Sequence, residues 1–540
     1  MGSLEQLHEI VRESAAALAG GNGAGFAEQI KLERPPRAEL GDYSTNAALL
    51  LAPRLERAPR EVAGLLGEAL AQRLGDALAR TDVAGPGFLN LFVSDDWLAE
   101  GLREILAAGG RHGAGDEPGA STVNVEFVSA NPTGPVHIGH ARGAAYGDAL
   151  SRLLAFRGLR VTREFYINDY GSQIRKLGES VRAIARDEPV PQDGYHGDYV
   201  AALVPRDRAR TLDIDELSRE ALAACLELVR ASLERFGVHF DVWFSERSLH
   251  ESGAVERALE ALEGLGETYT AESALWLRTT AHGDDRDRVL IRSDGEPTYF
   301  CSDIAYLQDK RARGFARLVY VWGSDHHGYE PRMRAALAAL GGNPDELELI
   351  GFQFVHLVGG GERIAMSKRE GEYVTLDELV DAIGVDAARW FLLARSHDTT
   401  VEIDPDVATR QSADNPVYYV QYAHARIASV LARLSAERVA QATAEVAPAE
   451  SLHPSERALL KRLLAFPDDL AEAGERRAPH RVAAAALEIA QEFTAFYRDC
   501  HVLGVEPRAT ESLRIALCVA AKQTIATALH LLGVSAPDQM

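Results

Sequence analysis

VNVEFVSANPTGPVHIGHARGAAYGDALSRLLAFRGLRVTREFYI, residues 123–167, is the stretch from which the organisation of the chain is read. Its first five residues alternate apolar and polar side chains over the length of a strand. A loop rich in proline and glycine follows, Asn131-Pro132-Thr133-Gly134-Pro135, and residues 137–156 then have helical spacing. Gly158 stops that helix, and residues 160–167 read as a second strand. Strand, Pro/Gly loop, helix, strand is a βαβ unit, which implies parallel strands joined by a right-handed crossover.

Outward from this unit, further strands fit residues 289–291, 318–322 and 349–355, the last weakened by Gly351. Strand–helix alternation continues to about residue 395. Upstream, residues 4–18 have helical spacing and are followed by a glycine-rich break at 20–23. Turn-bearing segments then run to the glycine- and charge-rich stretch 110–120, which has the composition of a domain boundary. From about residue 411 the pattern is helical, with apolar stripes in 416–434, 456–464, 482–497 and 512–532. The alanine-rich stretch 440–448 reads as a loop or frayed helix between two of these. Three parts result: α+β, parallel α/β, and all-helical.

A chain of 540 residues fits three to four domains at roughly 150 residues each. Hydrophobic residues at 46% and charged residues at 25% suit a soluble globular protein. The net charge of −23 excludes a polycation that coats nucleic acid or membrane, while leaving room for a local basic face. Cys225, Cys301, Cys500 and Cys518 lie far apart with no CxxC pair, so neither a disulfide framework nor a zinc site is expected, and a reducing cytoplasm is. The first residues lack the basic-then-apolar signature of a signal peptide. Arg514 and Lys522 interrupt the longest apolar stretch, 512–537, so no membrane association is expected.

Two segments carry chemistry. His137-Ile138-Gly139-His140 stands where the loop enters the helix. Unpaired N–H groups and the positive end of the helix dipole attract phosphate there. The imidazoles add donors, and Gly139 lets a flat adenine lie on the backbone. Two histidines at a helix start are also an ordinary surface feature; their position after a strand and a Pro/Gly loop favours nucleotide binding. Met366-Ser367-Lys368 lies about 230 residues downstream, within 364–371. A Ser-Lys loop closing over a triphosphate supplies charge where negative charge develops. Alone it is an ordinary solvated loop; after the histidine segment it points to the same nucleotide.

In these two signatures the sequence resembles the class I aminoacyl-tRNA synthetases, and more specifically the bacterial-type arginyl-tRNA synthetases. The resemblance extends through 125–132, Tyr299-Phe300-Cys301-Ser302-Asp303-Ile304-Ala305-Tyr306, 321–328, 415–427 and 496–500. It departs at Ala365, where the family has the first lysine of its loop, and at Arg369, where it has the final serine. The fold implied is α/β: a Rossmann-like parallel-sheet catalytic domain with an insertion (113–400), an N-terminal α+β domain that contacts tRNA (1–112), and a C-terminal all-helical anticodon-binding domain (401–540).

The reaction implied has two steps, ATP-dependent formation of arginyl-adenylate and transfer of the arginyl group to the 3′-terminal adenosine of its tRNA. By resemblance His137, His140 and Lys368 are catalytic, and Gly139, Met366 and Ser367 join them in binding ATP. Glu126, Ser129, Asn131, Tyr299, Asp303 and Asp325 bind arginine, Glu126 and Asp303 as the carboxylates that match its planar guanidinium fork. Tyr418, Tyr422, Arg426, Arg476 and Arg481 contact tRNA. The arginines at 206, 208 and 210 form a second basic cluster that is equally a solvated face. Magnesium accompanies ATP through its phosphates, with no protein cage for a metal. The expected partners are L-arginine, ATP and tRNA(Arg), and the expected form is a cytoplasmic monomer. A tRNA-independent nucleotidyltransferase, a non-catalytic tRNA-binding paralogue and a cysteinyl- or methionyl-type synthetase are the rival readings. The N-terminal unit and helical tail, the retained histidines and Lys368, and the scattered cysteines weigh against them in turn.

Overall fold

In the computed structural model, residues 123–167 supply β1 (Thr122–Phe127), α1 (Ile138–Phe156) and β2 (Arg160–Ile167). The described residues are 2–20, 27–35, 37–115, 121–359, 362–363 and 374–540. β3 (Val242–Ser245), α2 (Tyr299–Ala312), β4 (Arg317–Gly323) and β5 (Leu347–Phe352) complete the central layer. The five strands are all parallel, in the order β5-β4-β1-β2-β3. The order reverses between β1 and β4, and open α/β sheets bind ligands beyond the strand C-termini at such a switch.

α1 covers one face of the sheet. Val123, Val125 and Phe127 are fully buried beneath it, each worth roughly 1.5–3 kcal/mol. A Cβ on Gly147 would lie 2.2 Å from the Phe127 ring, so glycine sets this close approach. α2 covers the other face, where Asn124, Glu126 and Glu164 point. The polar half of the β1 alternation therefore faces charged partners inside the protein rather than water: Asn124 is 0% and Glu126 3% exposed.

Two expectations change. Residues 289–291 are a strand, but in a separate antiparallel sheet with Thr268–Ala271 and Ala274–Leu277. The stretch 349–355 is two strands, because the chain leaves the central sheet after β5 and Val355–Gly359 pairs in parallel with Val401–Ile403. The stretch 440–448 is the end of a helix, Ala436–Ala444, followed by loop. Alanine has the highest helix propensity, Ser435 caps the first turn, and Arg438 is tied to Glu511 at 2.5 Å.

Among the described residues, those before 112 form four α-helices around a four-stranded antiparallel sheet. The helical part contains α3 (Pro416–Leu431), α4 (His480–Asp499) and α5 (Arg508–Leu532). α5 is long and apolar enough to span a bilayer, but 72% of its most apolar window is buried in the protein, as for a bundle core. Asp42 of the N-terminal sheet meets Arg457 at 2.6 Å and Lys461 at 3.0 Å, fastening the first part to the last.

Arg389 fastens the central part to α5. It is fully buried and donates to Asp148 of α1 at 2.5 Å, to the Leu532 carbonyl at 2.9 Å and to the Phe236 carbonyl at 3.1 Å. Arg389→Met strands two carbonyls and unbalances Asp148, so a loss of about 3 kcal/mol is expected as a lower urea midpoint. An unchanged midpoint would show that this buried cluster holds nothing together.

Candidate active site

His137 caps α1: its Nδ1 accepts the Gly139 N–H at 3.1 Å. The rings of His137 and His140 lie 3.6 Å apart, centroid to centroid. Burial lowers the pKa of His137; burial and then the neighbouring His137 lower that of His140 to about 3. Both are therefore neutral at pH 7 and act as N–H donors, while positive potential comes from the helix end. The His140 Nδ1 is buried without a hydrogen-bond partner, and a phosphate group fits such an atom at a helix N-terminus. The place above Gly139 that the sequence suggests for adenine is flanked by the His137 ring, 2.9 Å from where a Cβ would be.

Lys368, Met366 and Ser367 lie outside the described residues. The segment from Val374 onward is described and meets the start of α1. Ile138 N donates to the Val374 carbonyl at 2.9 Å, and Leu376 N to the Val136 carbonyl at 2.7 Å. The downstream end of that loop is thus anchored beside His137.

Beyond β1 the backbone is strained: Val128 and Ser129 have φ of 68° and 40°, unfavourable for residues with a Cβ and typical of functional sites. This turn lets the Ser129 hydroxyl donate to Glu126 at 3.1 Å and accept the Tyr166 N–H at 3.1 Å. Asn131 is exposed and accepts from the Asn168 amide at 3.2 Å. Glu126 is already ion-paired: Lys310, fully buried on α2, donates to it at 2.7 Å and lies 4.0 Å from the Tyr320 ring centroid. Beside this pair, Glu164 accepts from Asn124 at 2.8 Å and from both Arg313 terminal nitrogens at 2.6 and 2.9 Å, and its carboxyl is held below the usual range.

Tyr299 and Asp303 lie one turn apart on α2, and Tyr299 is 66% exposed. The Tyr329 hydroxyl donates to Asp303. Burial, opposed by that bond and then reinforced by Glu126, pushes Asp303 up to about 6. Nearby is an acid that reading of the sequence missed. Glu246, immediately after β3, is 3% exposed and bonded by Ser302 and Tyr166. Burial, and after it the neighbouring Asp303, push Glu246 up to about 7. Among the described residues no salt bridge holds Asp303 or Glu246, and the nearby Arg332 guanidinium only partly lowers Asp303. Two desolvated carboxylates held near neutrality beside a paired third one form a pocket that a cation stabilises. The signal for Glu246 was its position after a parallel strand, but four residues, Val-Trp-Phe-Ser, are too few to announce a strand by periodicity.

Asp325 follows β4 at the switch point, and its side chain lies outside the described set. Among the described residues no group of three or more His, Cys, Asp or Glu is placed to hold a metal. On α3, Tyr418 and Tyr422 stack with centroids 5.9 Å apart, and Arg426 lies 4.9 Å over Tyr422. The spacing of four residues puts all three on one face. Tyr419 packs against the core instead. Arg476 and Arg481 share Glu472, and the arginines at 206, 208 and 210 are matched by Asp187 and Glu220, so both basic clusters are locally balanced.

Comparison with known proteins covers the whole chain. A model of the arginyl tRNA synthetase N terminal domain matches residues 5–93, the class I (R) tRNA synthetase catalytic domain matches 102–193 and 199–429, and the DALR anticodon binding domain matches 420–540. The arginine–tRNA ligase of Frankia alni is 46% identical over 524 residues, covering 95% of each chain. That of Geobacillus thermodenitrificans is 45% identical, covering 99% of each. The Thermus thermophilus arginyl-tRNA synthetase structure superposes with a TM-score of 0.78 over 99% of this chain and 100% of its own; at 24% identity it shows the shared fold.

Proposed function

Because the chain belongs to the arginyl-tRNA synthetases and ligates L-arginine to tRNA, we propose how its own residues divide that work. The guanidinium lies between Asp303 and Glu246 under the Tyr299 ring. Glu126, fixed by Lys310, works with Ser129 and Asn131 on the amino-acid end, and Asp325, which follows β4 in the chain, is kept with the arginine-binding set by resemblance. His137, Gly139 and His140 receive ATP and its magnesium-bound phosphates at the start of α1. By resemblance Met366, Ser367 and Lys368 join them on ATP, and Arg369 is a cation that this sequence carries where the family has serine. Adenylate formation needs alignment and charge neutralisation more than covalent help, which suits neutral donors and a helix dipole. Stacked Tyr418 and Tyr422 with Arg426 suit the splayed bases of an anticodon loop. Arg476 and Arg481 add phosphate contacts by exchanging Glu472 for tRNA. The domains are taken as 1–112, 113–400 and 401–540. The enzyme is a cytoplasmic monomer: its four cysteines are free and buried, and its exposed large apolar residues are dispersed along the chain.

The observation that carries this reading is the pair of desolvated carboxylates, Glu246 buried and Asp303 partly so, raised to about 7 and 6. Its sign is definite. A carboxyl raised in the folded state favours the fold below its ordinary pKa and loses that contribution as pH rises through the raised value. A guanidinium, charged at every pH, reverses the penalty and pulls both values down. Arginine binding is therefore expected to release protons between pH 6 and 7 and to tighten as pH rises through that window. Calorimetry in buffers of different ionisation enthalpy measures the release; zero protons at pH 6.5 would remove the pocket assignment.

Arginine-dependent pyrophosphate exchange into ATP, with and without tRNA, tests the residue roles for the first step. His140→Ala is expected to slow exchange on the order of a hundredfold with arginine affinity retained. Equal exchange in variant and parent would take His140 out of the phosphate site.

A further inference from the structure

The turn that follows β2 reaches both ends of the proposed arginine pocket. Ile167, the last residue of β2, pairs with Ser245, the last of β3. Two residues on, the Asp169 N–H donates back to the Ile167 carbonyl at 2.9 Å, and this tight turn brings the Asp169 side chain to the end of β3. There one carboxylate oxygen accepts the Ser245 hydroxyl at 2.6 Å and the other accepts the Arg247 N–H at 2.9 Å. Ser245 and Arg247 flank Glu246 in the chain, so the two bonds straddle that acid. The Asp169 carbonyl adds a third, accepting from the Arg247 guanidinium at 3.0 Å. Asn168, one residue earlier, donates its amide to Asn131 at 3.2 Å. Tyr170, one residue later, stacks on His250 with centroids 3.8 Å apart. The His250 Nε2 lies 3.2 Å from the Ser302 hydroxyl, which is itself bonded to Glu246.

Residues 168–170 thus touch Asn131 at the amino-acid end and the surroundings of Glu246 at the guanidinium end. The separation of those ends fixes the length of side chain that the pocket accepts. We propose that Asp169 is a positioning residue that holds Glu246 at a set distance from the amino-acid end and so selects arginine from guanidino amino acids one methylene longer or shorter. The proposal rests on the arginine pocket assigned above. Supporting hydrogen bonds hold a binding group to within about 0.5 Å, well under the C–C bond of about 1.5 Å that a methylene adds. The carboxylate serves here as two acceptors, one for each neighbour of Glu246. Asparagine keeps both bonds, its oxygen accepting the Arg247 N–H and its amide donating to the Ser245 hydroxyl; alanine keeps neither. The charge matters less, since burial and then Asp303 come ahead of Asp169 among the causes that raise Glu246.

The test charges tRNA with arginine and with homoarginine, one methylene longer, using the full-length parent, Asp169→Ala and Asp169→Asn. Asp169→Ala is expected to raise KM for arginine on the order of tenfold, with KM for ATP unchanged. One methylene in a fitted pocket is worth a preference on the order of a hundredfold, and Asp169→Ala is expected to cut it about tenfold. Asp169→Asn is expected to keep both quantities near the parent. Asn168→Ala, which frees the other end of the turn from Asn131, is expected to cut the preference by a smaller factor. A loss of folded enzyme lowers kcat alone and leaves KM and the preference where they were. An unchanged preference in both alanine variants, a rise in KM for ATP equal to that for arginine, or Asp169→Asn as impaired as Asp169→Ala would overturn the assignment. Calorimetry of arginine binding tells the two failures apart. Absence of proton release from the parent removes the pocket and this proposal with it; proton release from the parent beside any of those three results removes Asp169 alone.

Discussion

Asp303→Asn is expected to lower kcat/KM for arginine about a thousandfold, while the unliganded protein is at least as stable as the parent. Removing one partner of a desolvated charge pair costs about 3–5 kcal/mol, and about 4 kcal/mol corresponds to a thousandfold. The guanidinium would then enter a pocket with one carboxylate fewer and no water to replace it. Stability moves the other way. Burial and the nearby Glu126 penalise ionised Asp303, and Asp303 in turn raises Glu246. Asparagine cannot ionise, yet its amide oxygen still accepts from Tyr329. The penalty is absent below the ordinary carboxylate pKa and complete above about 7, so the stability gain is expected at pH 8 and not at pH 4. Aminoacylation kinetics with urea unfolding at both pH values measure the two effects. Unchanged arginine kinetics would place the guanidinium elsewhere, and a large loss of stability at pH 8 would make Asp303 a structural acid.

Lys310→Met is expected to do the reverse, destabilising the protein by about 3–5 kcal/mol at neutral pH. Lys310 is the buried cation that pairs with Glu126, and methionine fills its space without its charge. The double variant Lys310→Met/Glu126→Gln removes both charges and is expected to recover most of the stability, but not arginine charging. Urea midpoints of the two singles and the double form a thermodynamic cycle. Additive losses would mean the two side chains are not coupled. Recovery of charging in the double variant would free Glu126 of any part in the reaction.

The βαβ unit was legible because periodicity, a Pro/Gly loop and a stopping glycine all agree over residues 123–167. His137 could be placed at the helix start for the same reason, and the structure makes it the cap itself. Two things were not legible. The alternation along β1 shows that Asn124 and Glu126 share a face, yet nothing local shows that α2, about 180 residues later, covers that face with Lys310 and Tyr306. Lys310 looks like a solvated residue near a helix end, and only the tertiary fold buries it. Glu246 is one of 80 acidic residues, follows a four-residue strand, and becomes distinctive only when β3 joins β2 and brings it beside Asp303. Tyr299 and Asp303 came from resemblance rather than pattern, and the structure supplies their physical context.

The central claim is that a pair of desolvated carboxylates reads the charge and shape of the guanidinium. Citrulline keeps the shape without the charge, and lysine keeps the charge without the fork. The most direct measurement is kcat/KM for charging the cognate tRNA with arginine, citrulline and lysine in parallel. Arginine is expected to be preferred over both by on the order of 10⁴, since a site built on buried polar groups leaves them unsatisfied by either analogue. Charging of citrulline at a rate comparable to arginine would contradict the claim.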